Sequence, residues 1–153
     1  MNQNSEERTL VTNKRAEHDY FILNRYEAGI ALKGTEVKSL RQGKANFLDA
    51  YVDFINGEAY LVNMHISEYT QGNRFNHEEK RKRKLLLKKN EILKLQQKVK
   101  EKGYTVIPLR AYVKNGKIKI EIALARGKKM FDKRASIAEK DLKRELERKY
   151  KIN

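Results

Sequence analysis

The stretch that decides the fold is RAYVKNGKIKIEIALA, residues 110–125. Asn115 and Gly116 lie at its centre, and both residue types tolerate the positive φ angles that a tight type I′ turn requires. After the turn, apolar residues at every second position from Ile118 to Leu124 alternate with charged or small ones. This period of two predicts a β-hairpin with one buried face and one solvent-exposed face.

A second Asn-Gly pair, at 56–57, joins two further runs of strand-forming residues, 50–55 and 58–66. Both runs carry apolar and aromatic residues on either side in places, which favours interior strands. Three more strand candidates complete the set: 19–26, 30–32 and 104–109. About six short strands with few long helices are typical of small barrels. We therefore expect a mainly β fold, a small closed OB-like β-barrel with roughly two or three short helices and a basic C-terminal tail.

The segment 90–103 has the features of a helix between these strands. Asn90 can cap the free N–H groups of the first turn, and Gly103 can adopt the left-handed conformation common just after a helix. Its apolar residues recur at helical spacing and should face the barrel: Ile92, Leu95 and Val99. A shorter helical turn is expected over 36–41, and a polar loop over 71–79.

Basic residues far outnumber acidic ones in this chain. The 153 residues include 35 Lys and Arg against 20 Asp and Glu, which gives a net charge of +15 and a pI near 9.9. So large an excess favours a polyanionic partner such as nucleic acid. The alternative is a soluble protein that carries its charge evenly over the surface.

The residue types that build redox and metal sites are scarce. There are no cysteines, which excludes disulfides, thiolate zinc sites and a Cys nucleophile, and the three His residues lie in different segments. No nucleophile, Walker or dinucleotide-binding motif occurs, so we expect neither an enzyme nor a bound metal or cofactor. No apolar run reaches the roughly 20 residues that cross a bilayer, and the N-terminal stretch lacks a signal-peptide pattern. We expect a soluble, cytoplasmic protein.

Two clusters of basic residues concentrate the positive charge. Residues 80–84 read Lys-Arg-Lys-Arg-Lys and are followed by Lys88 and Lys89, so seven of ten residues are cationic. Phosphate groups would relieve the repulsion among them, although a solvated loop is the alternative. The second cluster, 126–134, places Phe131 among cations. Its ring could stack on an unpaired base or simply pack against the edge of the body.

The strand pattern stops after Gly127. Residues 128–153 contain ten Lys or Arg against five acidic residues, and only a narrow apolar stripe. Ser136 and Glu139 have the spacing of a capping box, which can start a helix. An isolated helix of about 15 residues is marginal in water. We therefore expect a body over 1–127 and a basic tail over 128–153 that is disordered when free and helical when bound to its partner.

Three stretches of the sequence resemble the signatures of one known family. They are NKRAEHDYFI at 13–22, YEAGIAL at 26–32 with GTEVKSLR at 34–41, and GKK at 127–129 with DKR at 132–134. Shorter matches add to them: GKAN at 43–46, RKLLL at 83–87 and GYTV at 103–106. In order and spacing they are similar to those of the SsrA-binding protein (small protein B) family of bacterial ribosome rescue.

This resemblance implies an OB-like barrel that binds the tRNA-like domain of transfer-messenger RNA (tmRNA). It implies that the protein escorts this RNA, together with elongation factor Tu, to ribosomes stalled without a usable codon. The tail, helical on the ribosome, would occupy the decoding centre and the empty mRNA channel and stand in for a codon and anticodon. No bond is made or broken by the protein in this scheme, and we expect it to be a monomer.

The resemblance also implies which residues contact RNA. In the body they come from the Asn-Lys segment, the Glu-Ala-Gly turn, the helical turn and the Lys-Leu-Leu-Leu neighbourhood: Asn13, Lys14, Arg15, Glu27, Lys38, Arg41, Lys82, Arg83, Lys84 and Leu85. In the tail they are Gly127, Lys128, Lys129, Phe131, Asp132, Lys133, Arg134, Ile137, Glu139 and Leu142. The family often has His before Asp-Lys-Arg; Phe131 keeps a stacking face but lacks a ring nitrogen.

Glu27 is an unusual residue for an RNA-binding site because its carboxylate repels phosphates. It can nevertheless accept hydrogen bonds from base amino groups or ribose 2′-hydroxyls, which gives selectivity where Lys gives only attraction. The alternative is an exposed turn carboxylate that pairs with Arg25 or Lys33, a weak interaction.

Two other functional classes are compatible with the composition. One is a general single-strand-binding OB module, which needs exposed aromatic residues along one face. Five residues are candidates for that face: Tyr51, Phe54, Tyr60, Tyr104 and Tyr112. The other is a structural protein of the ribosome, for which a basic body with a disordered tail is equally typical. The motif matches disfavour both.

Overall fold

The computed structural model of the chain describes residues 7–71 and 76–128. Within these ranges, nine strands and three helices follow one another. They are β1 Glu7–Thr12, α1 Ala16–Asp19, β2 Tyr20–Ile30, α2 Gly34–Arg41, β3 Ala45–Asn46, β4 Tyr51–Ile55, β5 Glu58–Val62, β6 His65–Ile66, β7 Arg83–Leu86, α3 Lys89–Lys102, β8 Thr105–Lys114 and β9 Lys117–Gly127.

Both predicted hairpins are confirmed. β8 pairs with β9 through the Asn115-Gly116 turn, and β4 pairs with β5 through 56–57. Asn115 has φ 52° and Gly116 φ 75°, and Asn56 and Gly57 have nearly the same values, 52° and 78°. Positive φ at both central residues is what a tight turn between right-twisted strands requires.

The expectation of a closed barrel is wrong. Seven strands form one antiparallel sheet in the order β1-β8-β9-β2-β7-β5-β4, and β3 pairs with β6 apart from it. β1 and β4 are the two edges of this sheet, and no ladder joins them within the described part of the chain. Local alternation and turn residues specify hairpins, whereas closure requires pairing between edge strands far apart in the sequence. The local pattern carries no signal for that pairing.

The two faces of the sheet have different roles. We call the face that carries Ile120, Ile122 and Leu85 the inner face, because these side chains join the main core. The opposite face, with Glu27 and Glu121 at its centre, is the outer face. Its end near the start of β2 is covered by α1, where a second small core forms from Ala16, Ile107, Leu109, Ala123 and Ala125.

α3 packs on the inner face, as the spacing of its apolar residues predicts. Ile92 and Leu95 are buried in the main core, and Val99 packs against it. The helix ends at Gly103, which has φ 68° and donates its N–H to the Val99 carbonyl at 3.1 Å, as predicted. The prediction that Asn90 caps the helix is wrong. The helix begins one residue earlier, and the Glu91 carboxylate accepts the Lys88 N–H at 3.0 Å.

Candidate nucleic-acid interface

The basic run at 80–84 is divided between the inside and the outside of the protein. From residue 80 onward, burial alternates through β7: Lys80 and Lys82 are exposed, Arg81 is partly buried and Arg83 is completely buried. Every inward cation is Arg and every outward one is Lys. Arg is the residue that forms multidentate buried ion pairs, whereas Lys carries a strongly hydrated point charge. The arginines of the run therefore have a structural role inside the protein, and the lysines remain available on its surface.

The inward arginines share one buried carboxylate. Glu36 of α2 is completely buried, and it accepts hydrogen bonds from Arg83 Nε and from Arg81 Nη2 at 2.6 Å. Arg83 also donates to the Met64 carbonyl at 2.7 Å and to the Glu79 carbonyl at 3.0 Å. Burial opposes ionisation of Glu36, but hydrogen bonds from Arg81, from a backbone N–H and from Arg83 hold its carboxyl pKa below the usual range. The triad ties α2 to β7 and to the segment before it.

Two of the residues expected to contact RNA are thus inside the protein. Arg83 and Leu85 are both at most 1% exposed, so neither side chain is available to a ligand on the surface. The neighbouring Leu86 is 56% exposed. Successive residues of a strand point to opposite faces, so if Arg83 and Leu85 point inward, Leu86 must point outward. This alternation would have identified Leu86 as the exposed leucine.

The outer face brings two of the predicted residues, Glu27 and Lys84, together with Leu86. Glu27 on β2 pairs across the sheet with Glu121 on β9, and two residues further along β2 Gly29 pairs with Leu86 on β7. Lys84 precedes Leu86 by two residues and so lies on the same face. A Cβ atom on Gly29 would lie 3.2 Å from the Leu86 Cβ, so glycine gives the leucine room over β2. A carboxylate, a lysine and an exposed leucine therefore share one rigid surface.

Glu27 is partly exposed and held by neighbours other than those expected. Its carboxylate accepts a hydrogen bond from Lys114 Nζ at 3.2 Å, whereas Arg25 pairs with Glu17 and Glu121. The alternative of a pair with Arg25 or Lys33 is wrong. Burial raises the pKa of the Tyr112 phenol, and the negative charge of Glu27 raises it further, so the tyrosine stays protonated and can donate to the carboxylate.

The segment after β1 lines a groove of about 880 Å³. Asn13 is anchored there, because its side chain donates to the Pro108 carbonyl and its N–H to the Leu109 carbonyl, both at 2.8 Å. Lys14 is exposed beside it, and Arg15 pairs with Asp19 at 3.3 Å. Residues 45–51 also line the groove, including the exposed Leu48 and Tyr51.

The groove and Glu27 lie toward opposite ends of β2. Ala16, which follows the anchored segment, packs on the outer face with Ile107, near the start of that strand. Because Glu27 is the eighth residue of β2, about 24 Å of extended chain separates the two regions. The groove and the part of the outer face around Glu27 are thus two separate contact regions for one elongated ligand.

Lys38 and Arg41 lie elsewhere on the protein. Both are exposed on α2, where Lys38 Nζ lies 5.4 Å from the centre of the Tyr69 ring and Arg41 donates to the Gly116 carbonyl at 3.5 Å. Within the described ranges, the structure gives neither side chain a contact with Glu27, Lys84 or the groove. α2 therefore does not contribute to the outer face.

The start of the tail is fixed against α1 and β2. Lys128 Nζ donates to the Glu17 carbonyl at 2.8 Å and lies 5.2 Å from the centre of the Phe21 ring. Gly127 ends β9. The other predicted tail contacts lie outside the described residues: Lys129, Phe131, Asp132, Lys133, Arg134, Ile137, Glu139 and Leu142.

Across 7–71 and 76–128, no three His, Asp or Glu side chains are grouped as metal ligands would be. In the same part of the chain, every helix is too short or too polar to cross a membrane.

Comparison with known proteins gives consistent matches. A family model described as SmpB protein matches residues 10–152. A curated SsrA-binding protein of Desulforudis audaxviator is 58% identical over 142 residues, which cover 93% of each chain. Another, of Clostridium tetani, is 54% identical and covers 94% of this chain and 92% of its own. A chain from a solved structure described as "tmRNA-SmpB: a journey to the center of the bacterial ribosome" is 52% identical, with a TM-score of 0.66, over 76% of this chain and 82% of its own.

Proposed function

This chain belongs to the SmpB protein family, as the motif resemblance implies, and we propose that it binds the tRNA-like domain of tmRNA and delivers that RNA to stalled ribosomes. Relatives named SsrA-binding protein and the solved tmRNA-SmpB structure support this assignment. Within the structure, the observation that carries it is the outer face, where Glu27, Lys84 and Leu86 lie together on rigid strands.

Each of these side chains offers RNA a different interaction. Lys84 supplies charge for phosphates, and its pair with Glu58 at 3.5 Å is exposed and therefore easily exchanged for a phosphate. Leu86 offers an apolar surface for a ribose or an unstacked base. Glu27 accepts hydrogen bonds from base amino groups or 2′-hydroxyls, which phosphates cannot donate. Together they read a folded RNA, whereas the lysine alone would hold any RNA.

The groove is a second contact region for the same RNA. Lys14 and Arg15 supply positive charge in its lining, and Tyr51, which also lines the groove, has an exposed ring on which a base can stack. An elongated ligand that spans roughly 24 Å engages both regions at once. A tRNA-like fold is large and rigid enough to do so, whereas an unstructured strand has to lose conformational freedom to match both regions.

The remaining parts of the proposal concern delivery. As the resemblance implies, the basic tail over 128–153 enters the decoding centre and the empty mRNA channel, where bound mRNA would exclude it. Lys128, fixed by the Glu17 carbonyl, sets where the tail leaves the body. The protein acts as a cytoplasmic monomer alongside elongation factor Tu, and it catalyses no reaction and needs no metal or cofactor.

The arrangement of aromatic residues weighs against a general single-strand binder. Phe54 and Tyr104 pack against the inner-face core, and Tyr112 is buried. Tyr60 lies opposite Lys84 on the outer face, whereas Tyr51 lines the groove. The five aromatic candidates therefore do not form one exposed row on which successive bases could stack.

Binding to three RNAs at two salt concentrations tests this function. We expect the full chain to bind an isolated tRNA-like domain at least about tenfold more tightly than an unstructured RNA of equal length, and to keep that ratio at the higher salt. An ordinary tRNA is the third ligand and shows whether the elbow shape alone suffices. Equal affinity for the domain and the unstructured RNA, falling in parallel with salt, would leave only a generic cationic binder.

A further inference from the structure

Tyr112 is buried although it lies on the outer face of the sheet. Arg110 pairs across the sheet with Glu121, at the centre of that face, and Tyr112 follows Arg110 by two residues on the same strand. The Arg110 Cζ atom lies 4.0 Å from the centre of the Tyr112 ring and covers it. A buried phenol normally has a hydrogen-bond partner, and the charged side chains of the outer face can supply one.

The partner of the Tyr112 phenol is the carboxylate of Glu27. Burial raises the pKa of the phenol, and the negative charge of Glu27 and a hydrogen bond with it raise the pKa further. The phenol therefore keeps its proton and donates to the carboxylate. Because β9 lies between β8 and β2, this hydrogen bond passes over β9 and links two strands that do not pair with each other.

Arg110 holds the Tyr112 ring in place. Its guanidinium donates to the Glu121 carboxylate at 3.2 Å and to the Thr9 hydroxyl at 3.1 Å. A third hydrogen bond, of 3.0 Å, goes to the Glu7 carboxylate. Hydrogen bonds from all three nitrogen atoms fix the plane of the guanidinium, and a planar cation stacked on an aromatic ring restricts that ring in turn. The phenol therefore presents its hydroxyl from a rigid support.

The two donors that contact Glu27 differ in how easily they are replaced. The Lys114 ammonium group, 3.2 Å from the carboxylate, is partly exposed, so water and salt readily compete with it. The Tyr112 phenol is buried, and its hydrogen bond persists because water cannot take the place of the donor. A carboxylate accepts about four hydrogen bonds, so two donors from the protein leave roughly two acceptor positions for a ligand.

We propose that Tyr112 is a positioning residue for RNA recognition: its phenol, held by Arg110, orients the Glu27 carboxylate so that the remaining acceptor positions meet donors of the tRNA-like domain. This inference rests on the proposed function, because it concerns how Glu27 selects that RNA. A carboxylate that is already oriented loses little rotamer freedom on binding, whereas a freely rotating glutamate loses more. Tyr112 acts through Glu27 and does not itself contact the RNA.

The test measures selectivity, which is the ratio of the affinity for the isolated tRNA-like domain to the affinity for an unstructured RNA of equal length. Tyr112→Phe removes the hydroxyl and keeps the ring beneath Arg110. Tyr26→Phe is the matched control, because Tyr26 precedes Glu27 on β2 but packs against the inner-face core. Tyr112→Phe is also combined with Glu27→Gln. All variants are full chains, and urea denaturation checks that they are folded.

We expect Tyr112→Phe to lower selectivity about fivefold and Tyr26→Phe to leave it unchanged. Added to Glu27→Gln, Tyr112→Phe should change selectivity by less than about twofold, because the carboxylate through which the phenol acts is gone. An equal loss with and without Glu27, which a purely structural role would produce, overturns the inference. Selectivity of Tyr112→Phe equal to that of the control overturns it as well. Failure of the proposed function is distinguishable, because the unmodified chain would then show no preference for the tRNA-like domain.

Discussion

Glu36 and Arg83 form an ion pair in which both side chains are completely buried. Arg81 joins them, so one buried carboxylate pairs with two of the cations in the basic run at 80–84. From the sequence alone, the charge of that run favoured an external anion. The buried pair fixes the polypeptide on either side of it, so Lys84 projects from β7 and Lys82 from the residue immediately before that strand. The buried ion pairs of Glu36 thereby hold the exposed lysines of the run in defined positions.

Removing the shared carboxylate should destabilise the protein severely. Glu36→Ala leaves one completely buried and one partly buried guanidinium without their anion, and we expect a loss of about 3 to 5 kcal/mol in the free energy of unfolding. Urea denaturation followed by circular dichroism measures this loss. Glu58→Ala breaks the exposed pair with Lys84 and should cost less than about 1 kcal/mol. Equal effects of the two substitutions would contradict the structural role of the triad.

The same carboxylate should make stability depend on pH. The pKa of Glu36 is held below its ordinary value near 4.5, so its contribution to stability is complete above about pH 4.5 and is lost as the pH falls through the lower, folded-state pKa. The free energy of unfolding of the unmodified chain should therefore decrease on acidification below that value. In Glu36→Gln the decrease should be smaller. Parallel pH profiles for the two proteins would contradict this assignment.

Leu86 should contribute to RNA binding more than to stability. Leu86→Ala removes an apolar surface from the outer face, and we expect affinity for the tRNA-like domain to fall by roughly fivefold to tenfold. Leu93→Ala is the matched control, because Leu93 is 58% exposed, close to the 56% of Leu86, but lies on α3. Fluorescence anisotropy with a labelled domain compares them. The prediction fails if both variants bind like the unmodified chain.

Gly103 should be required by backbone conformation alone. Its φ of 68° lies in the left-handed region, where a Cβ atom is unfavourable, so Gly103→Ala should cost about 1 kcal/mol of stability. Gly34→Ala is the control, because a Cβ there meets nothing within 4 Å. Thermal unfolding should show a lower midpoint for the first variant only, with RNA affinity unchanged in both.

Local signals in the sequence were sufficient for the hairpins and for α3. Asn-Gly pairs demand positive φ, and the period of Ile92 and Leu95 places one side of a helix in the core. β1 was not predicted, because it is interrupted by a bulge between Thr9 and Val11 that breaks the alternation. β7 was not predicted because one of its two inward positions is occupied by Arg83, a cation whose burial depends on the distant Glu36.

Long-range relationships account for the other differences. Closure of the sheet depends on whether its edge strands, β1 and β4, pair with each other. The local sequence of neither strand indicates whether they do. Which leucine is exposed depends on the register of β7. The sequence prediction chose Leu85, but the strand places Leu85 inside and its neighbour Leu86 on the surface. The partner of Glu27 likewise proved to be Lys114, 87 positions away in the sequence.

The most direct test of the account is the selectivity of Glu27→Gln. Removing a negative charge from so basic a protein should strengthen general attraction to RNA, whereas loss of a specific acceptor should weaken binding to the tRNA-like domain. Lys114→Gln, which breaks the ion pair but keeps the carboxylate, is the control. We predict that the ratio of affinities for the tRNA-like domain and unstructured RNA falls at least about tenfold in Glu27→Gln and much less in the control. Equal strengthening toward both RNAs would show that Glu27 is only a surface charge and would contradict recognition by the outer face.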